Sequence, residues 1–240
     1  MRLRPSPNHN ARPPATPIDT LVLHYTGMPS AAAALDRLCD AAAQVSAHYL
    51  LEEDGTLWQL VPDERRAWHA GPSFWRGHTD INGRSIGIEI VNPGHDWGYR
   101  PFPPVQMQAL VPLCRCLLAR HPIPAHNVVA HSDIAPARKQ DPGELFDFCF
   151  LARNGIGLFP EATPDLGTDE ILADAAALAP VRRNLAAAGY EVAAEGASDP
   201  ALTLVLTAFQ RHWRPEHVTG TADRGTRARL AALVRLLVPR

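Results

Sequence analysis

Two histidines and one aspartate in this sequence have the types and surroundings to share a metal ion. His24 lies near the end of the apolar run IDTLVLHYT (18 to 26), and His131 closes the shorter run NVVAH (127 to 131). Asp141 stands beside Pro142 in the stretch HSDIAPARKQDP (131 to 142). Pro136 and Pro142 forbid a continuous helix there, and strand alternation is absent, so the stretch predicts a loop with a fixed path. One histidine at a strand end is ordinarily a core imidazole bonded to a carbonyl. Two of them, with a carboxylate on a stiffened loop, favour a different use. Catalytic zinc takes three protein ligands drawn from His, Asp, Glu and Cys and leaves a fourth position for water. His24, His131 and Asp141 supply such a set. Asp133 is too near His131 in sequence to share the ion comfortably and is expected to cap or brace the loop. Lys139, two residues before Asp141, would lie near the metal, where an ammonium stabilises the oxyanion formed when water attacks a carbonyl.

A base for that water is expected from the strand SIGIEIVN (85 to 92). Strand side chains alternate, so Ile86, Ile88 and Ile90 form the core face while Gly87 and Glu89 share the other. A carboxylate among isoleucines is not packed away without a partner. With its face lining a groove, Glu89 becomes the general base that deprotonates water. The elements around these residues alternate. A helix is expected over roughly 30 to 42, and a hairpin with a Glu-Asp-Gly turn over SAHYLLEEDGTLWQLV (46 to 61). A helix over 104 to 121 tolerates Pro112. The predicted fold is α/β, a mixed central sheet flanked by helices.

Composition shifts near residue 160, which divides the chain into residues 1–160 and 161–240 with a linker at 162 to 169. Three amphipathic segments follow, a helical module of about 70 residues, near the size at which a domain folds alone. Phe209 and Trp213 fall on one helix face and read as core. A net charge of −2 with 20% charged residues gives no sign of a nucleic-acid or membrane-surface binder. No apolar run approaches the roughly 18 residues of a membrane span. Cys39, Cys114, Cys116 and Cys149 are too sparse for a disulfide scaffold and read as free thiols.

LVLHYT, AHYLLEEDGTLWQLVPDERRAWHAG, SIGIEIVN and HSDIAPARKQDPG, in that order, resemble the zinc-dependent N-acetylmuramoyl-L-alanine amidases of type 2, which are related to the peptidoglycan recognition proteins. The likeness covers roughly residues 17 to 148 and is nearest the bacterial enzymes that recycle anhydro-muropeptides and their outer-membrane lipoprotein relatives. It implies one zinc on His24, His131 and Asp141, with Glu89 as base and Lys139 as oxyanion stabiliser. Phage members place a catalytic tyrosine just before the hairpin histidine. Ala47 stands there in this chain, which leaves proton transfer to Glu89. His69, Trp68, Trp75 and Asn92 are expected in the substrate groove, and His48 is expected to be structural. ALTLVLTAFQRHWRPEHVTGTADRGTRARLAAL is similar to a three-helix peptidoglycan-binding domain.

The implied reaction cuts the amide between N-acetylmuramic acid, in its 1,6-anhydro form, and L-alanine of the stem peptide. The implied partner is a muropeptide or peptidoglycan. Two rivals are a zinc-free muropeptide-binding protein and a glycosidase pairing Glu89 with Asp80. A start that lacks the apolar stretch of an export signal, together with the free thiols, leads to an expected cytoplasmic location. A removed signal would make it periplasmic.

Overall fold

β-rich runs placed between helical segments fold as the pattern predicts, into a mixed sheet. The computed structural model describes residues 1–160 and 171–237, so the proposed linker lies outside the described residues. In chain order the elements are β1 (Arg2–Leu3), β2 (His9–Ala11), β3 (Thr20–Tyr25), α1 (Ala31–Cys39), β4 (Tyr49–Leu51), β5 (Leu57–Gln59), β6 (Arg65–Ala67), α2 (Ile81–Arg84) and β7 (Ser85–Ile90). Then come α3 (Gly94–Trp97), α4 (Pro104–Arg120), β8 (Val128–Ala130), α5 (His131–Ile134), α6 (Phe148–Arg153), α7 (Ala175–Ala188), α8 (Pro200–Trp213) and α9 (Arg224–Leu237). Six strands form one sheet in the order β1-β5-β4-β7-β3-β8, and β2 pairs with β6 apart from it. Only the hairpin β4–β5 is antiparallel in the large sheet; β3 runs parallel to both β7 and β8.

The two sheet faces have different fates. Leu21, Leu23, Ile86, Ile88 and Ile90 pack with Leu110, Cys114 and Leu117 of α4, the face on which the isoleucines were expected. Pro112 sits inside α4 without ending it. On the opposite face, Leu50 packs with Leu35 and Leu38 of α1. Val22 and Val129 on that face belong to an apolar cluster that also holds Leu206 and Phe209 of α8. Between these two covers His24 and Glu89 stay clear of both apolar clusters.

α7, α8 and α9 form the expected helical module, and Phe209 and Trp213 are buried as core. Each of α7 and α8 starts on an aspartate, Asp174 and Asp199, whose carboxylate accepts a backbone N–H of the first turn. The module's apolar core is continuous with residues of the sheet domain, including Trp75 and Ile134. All four cysteines are free. Among the described residues, no helix is long and apolar enough to cross a membrane.

Candidate active site

Parallel pairing in register sets His24 on β3 opposite Glu89 on β7, and paired residues point to the same face. β8 delivers its next residue, His131, at the start of α5, beside the same sheet edge. The loop after α5 returns Asp141 to this point, held by the Ser132 N–H donating to the Asp141 carbonyl at 3.0 Å. His24 Nδ1 and His131 Nδ1 are 2.9 Å apart. Each lies 3.0 Å from Asp141 Oδ2. The three are buried, and together they form a group whose atoms could hold one ion.

The outer bond of His131 says which of its nitrogens carries the proton. His131 Nε2 lies 3.0 Å from the Ala70 carbonyl, which only accepts, so this nitrogen is the donor. A neutral His131 therefore keeps a lone pair on Nδ1. His24 Nε2 is 3.0 Å from His69 Nδ1, and His69 Nε2 is 3.0 Å from Ser85 Oγ. With His24 donating from Nε2 to His69 and His69 from Nε2 to Ser85, the direction metal ligation requires, the His24 Nδ1 lone pair faces inward as well. Two lone pairs and an anionic oxygen about 3 Å apart repel one another and are satisfied together by a cation. The donor set, two imidazoles and one carboxylate with their outer nitrogens occupied, fits a catalytic zinc.

Electrostatics agree with ligation. Burial lowers His24 to about 4, His131 adds to the effect, and Asp141 opposes it. The ring is therefore neutral at working pH, as a metal ligand must be. Burial alone would raise Asp141, but His131 and His24 outweigh it and hold the carboxyl below the ordinary range. Glu89 behaves oppositely. Burial drives it well above the usual carboxylate value, the Asp141 charge adds to that, and Lys139 counteracts. Its Oε2 is buried without a hydrogen-bond partner, an unsatisfied acceptor at the edge of the cleft.

The cleft itself has a volume of about 330 Å³, and His69, Trp68, Glu89, His131, Lys139 and Asp141 border it. A larger apolar cavity of about 620 Å³ lies between the 133–138 loop and the helical module. It contains neither the triad nor Glu89, and Arg138 borders both spaces.

Two expected groove residues are elsewhere. Trp75 is buried in the apolar core, where its ring meets Tyr190 and its indole N–H donates to Asn127. Asn92 is fully buried and fastens a loop: its amide donates to the Arg100 carbonyl, and its Oδ1 accepts the Gly94 N–H. Neither borders the cleft. His69 does, but it is also the outer partner of His24, a bond that sequence reasoning did not foresee. A signal for it existed in Gly87: a Cβ there would lie 2.5 Å from His69 Cγ, so a mid-strand glycine marks the ring's close approach. The Ala70 carbonyl left no sequence signal because it is backbone. His48 is structural: its Nδ1 accepts the Gly87 N–H and its Nε2 donates to the Arg65 carbonyl. Asp80 caps α2 and pairs with Arg66, away from the cleft, so it is not a second carboxylate facing Glu89.

A family profile described as N-acetylmuramoyl-L-alanine amidase matches residues 14–144. Another, described as putative peptidoglycan binding domain, matches residues 175–230. The chain is 42% identical to the N-acetylmuramoyl-L-alanine amidase AmiD of Escherichia coli (strain K12), over 90% of this chain and 82% of that protein. The solved complex of AmiD from E. coli with the substrate anhydro-N-acetylmuramic acid-L-Ala-D-gamma-Glu-L-Lys superposes with a TM-score of 0.80 at 40% identity, covering 93% of this chain and 91% of that one. AMPDH3 from Pseudomonas aeruginosa in complex with anhydromuramic pentapeptide also gives 0.80, at 31% identity, with 98% and 99% covered. A cleft built around two imidazoles and a carboxylate, inside a profile match spanning most of the sheet domain and a relative alike over nearly the whole length, leads to one assignment: the chain belongs to the N-acetylmuramoyl-L-alanine amidase family.

Proposed function

We propose that the chain binds one zinc ion through His24 Nδ1, His131 Nδ1 and Asp141 Oδ2 and hydrolyses the amide between 1,6-anhydro-N-acetylmuramic acid and L-alanine of a muropeptide, in peptidoglycan recycling. The carrying observation is the convergence of those three atoms, each about 3.0 Å from the others, with the outer ring nitrogens already bonded. The two superposed structures hold anhydromuramyl peptides, which supports the substrate class.

Zinc, when bound, lowers the pKa of its water toward about 7 and polarises a carbonyl oxygen. The protein's own groups do the rest. Glu89, a carboxylate made more basic by burial, accepts a proton from the attacking water. The carbon–nitrogen bond then breaks, and Glu89 returns that proton to the departing L-alanine amine, leaving a lactyl carboxylate. Lys139, on the cleft wall, faces the negative charge that grows on the carbonyl oxygen. The His69 and Ala70 contacts at the outer nitrogens hold the two imidazoles in their ligating orientation.

The test compares turnover on purified anhydro-muropeptides with turnover on intact sacculi. Free stem peptide from the anhydro-muropeptide, at the higher kcat/KM, is the expected result. Preferential release from sacculi would support the other reading, a periplasmic amidase that remodels polymeric wall, which the match to a peptidoglycan-binding profile favours. The cytoplasmic placement rests on the free thiols, Cys116 being exposed. Recovery of the native protein in a periplasmic fraction would overturn it.

A further inference from the structure

The helical module ends one of its helices against the loop that carries the metal ligands. Two consecutive residues of α8 reach opposite ends of that loop. His212 Nδ1 lies 2.6 Å from Asp133 Oδ2, and Arg211 donates from Nη2 to Gln140 Oε1 at 3.0 Å. Asp133 is two residues from His131, and Gln140 adjoins Asp141. Arg211 also forms a 3.6 Å ion pair with Glu144, just beyond the loop. A third grip comes from Tyr190, after α7, whose hydroxyl donates to Asp133 Oδ1 at 2.5 Å and accepts the Trp213 indole N–H at 3.2 Å.

These contacts are built to hold a direction. The His212 ring is stacked between Phe148 and Trp213, with centroids 3.6 Å away on each side, so its plane is fixed. Asp133 and His212 are each 1% exposed, and a buried carboxylate depends on every partner it has. Asp133 passes the constraint on through its other bond, accepting the Ala130 N–H at 2.8 Å beside His131. The Ser132 N–H to the Asp141 carbonyl closes the loop on itself.

We propose that the helical module is part of the scaffold of the metal centre, with Arg211, His212 and Tyr190 as positioning residues that hold the His131–Asp141 loop in its ligating shape. This rests on the metal-centre reading above and gives the module a duty separate from wall binding. It follows that zinc affinity and kcat depend on donors to Asp133 that lie in the other part of the chain, even for a small soluble substrate.

The test uses the full chain as wild type, His212→Phe, His212→Asn and Tyr190→Phe. Zinc affinity is read by competition with a chromophoric chelator, kcat and KM on an anhydro-muropeptide, and folding by circular dichroism and Tm. His212→Phe keeps the stacked ring and removes the donor. It is expected to weaken zinc binding up to about 10-fold, the low end of what losing a direct partner of a metal ligand costs, because His212 acts through Asp133 and the loop, and to lower kcat with KM nearly unchanged. His212→Asn keeps a donor near the same place and loses the stack. It is expected to recover most of the zinc affinity despite a lower Tm. Wild-type zinc affinity and kcat in His212→Phe, with only Tm reduced, would overturn the inference. Should that variant fail to fold, Tyr190→Phe, which deletes one hydroxyl, decides on the same two readings. A wild-type chain that takes up no zinc overturns the metal-centre reading and this inference with it. Normal uptake with indifferent variants overturns this inference alone.

Discussion

In the proposed mechanism Glu89 and His131 have different duties within one cleft. Glu89 bonds to none of the three proposed ligands and holds a buried oxygen without a partner. Glu89→Ala is therefore expected to keep the bound metal and lose turnover by about 10²–10⁴-fold, the usual contribution of a positioned acid–base group. Metal analysis beside a kinetic assay checks this, and full activity in the variant would remove Glu89 from the mechanism. His131→Ala is expected to lose metal and turnover together. The placement of both residues at the cleft was legible in the sequence because it follows from strand alternation and from apolar runs that end in histidine. Trp75 and Asn92 were misplaced for a physical reason. Trp75 finds its aromatic neighbour in Tyr190, more than a hundred positions away in the other part of the chain, and no local pattern reports that contact. Asn92 serves the backbone of its own loop, a use that looks the same in sequence as a polar groove lining.

Two elements near the site support it indirectly, β7 and the hairpin strand β4 with the residues before it. At Gly87 a methyl group meets the His69 ring, which has its own bond to His24. Gly87→Ala is expected to displace His69 and weaken metal binding about tenfold or more, with a smaller loss of stability. An unchanged metal affinity would show that His69 does not orient His24. His48, just before β4, is fully buried, and burial lowers it to about 3, with the Arg12 charge adding to the shift. Its unfolded value is about 6.5. Between these values the unfolded chain binds a proton that the folded chain refuses, so stability falls as pH drops from 6.5 toward 3. The slope is up to about 1.4 kcal/mol per pH unit from this one group. Urea midpoints measured across that range are expected to fall with acid, and less steeply in His48→Gln. Equal slopes for the two proteins would contradict the assignment. The longer strands and helices were readable from the sequence, whereas β1, β2, β6 and the short helix α5, which opens a stretch expected to be a loop, were not. The burial of His48 against the backbone of β6 and β7 was not, because the pairing partners of a short strand are set by tertiary packing.

At the scale of the whole molecule, the shared apolar core ties the helical module to the sheet. Phe209 has no exposed surface in that core, and Phe209→Ala is expected to cost about 3–5 kcal/mol. Because the core is continuous, the loss is expected to move one cooperative transition seen alike by tryptophan fluorescence and circular dichroism. Two separated transitions would show that the parts unfold independently. The existence of the module was visible in the change of composition near residue 160; its grip on the His131–Asp141 loop was not, since Asp133 and His212 are distant in sequence and each has an ordinary local explanation. The most direct test of the whole account is to strip the purified chain with a chelator, measure zinc and anhydro-muropeptide cleavage, and then restore zinc. The prediction is one zinc per chain before stripping, cleavage lost with the metal, and both recovered together on adding one equivalent. Cleavage of the sugar–peptide amide that continues in the stripped protein would contradict it.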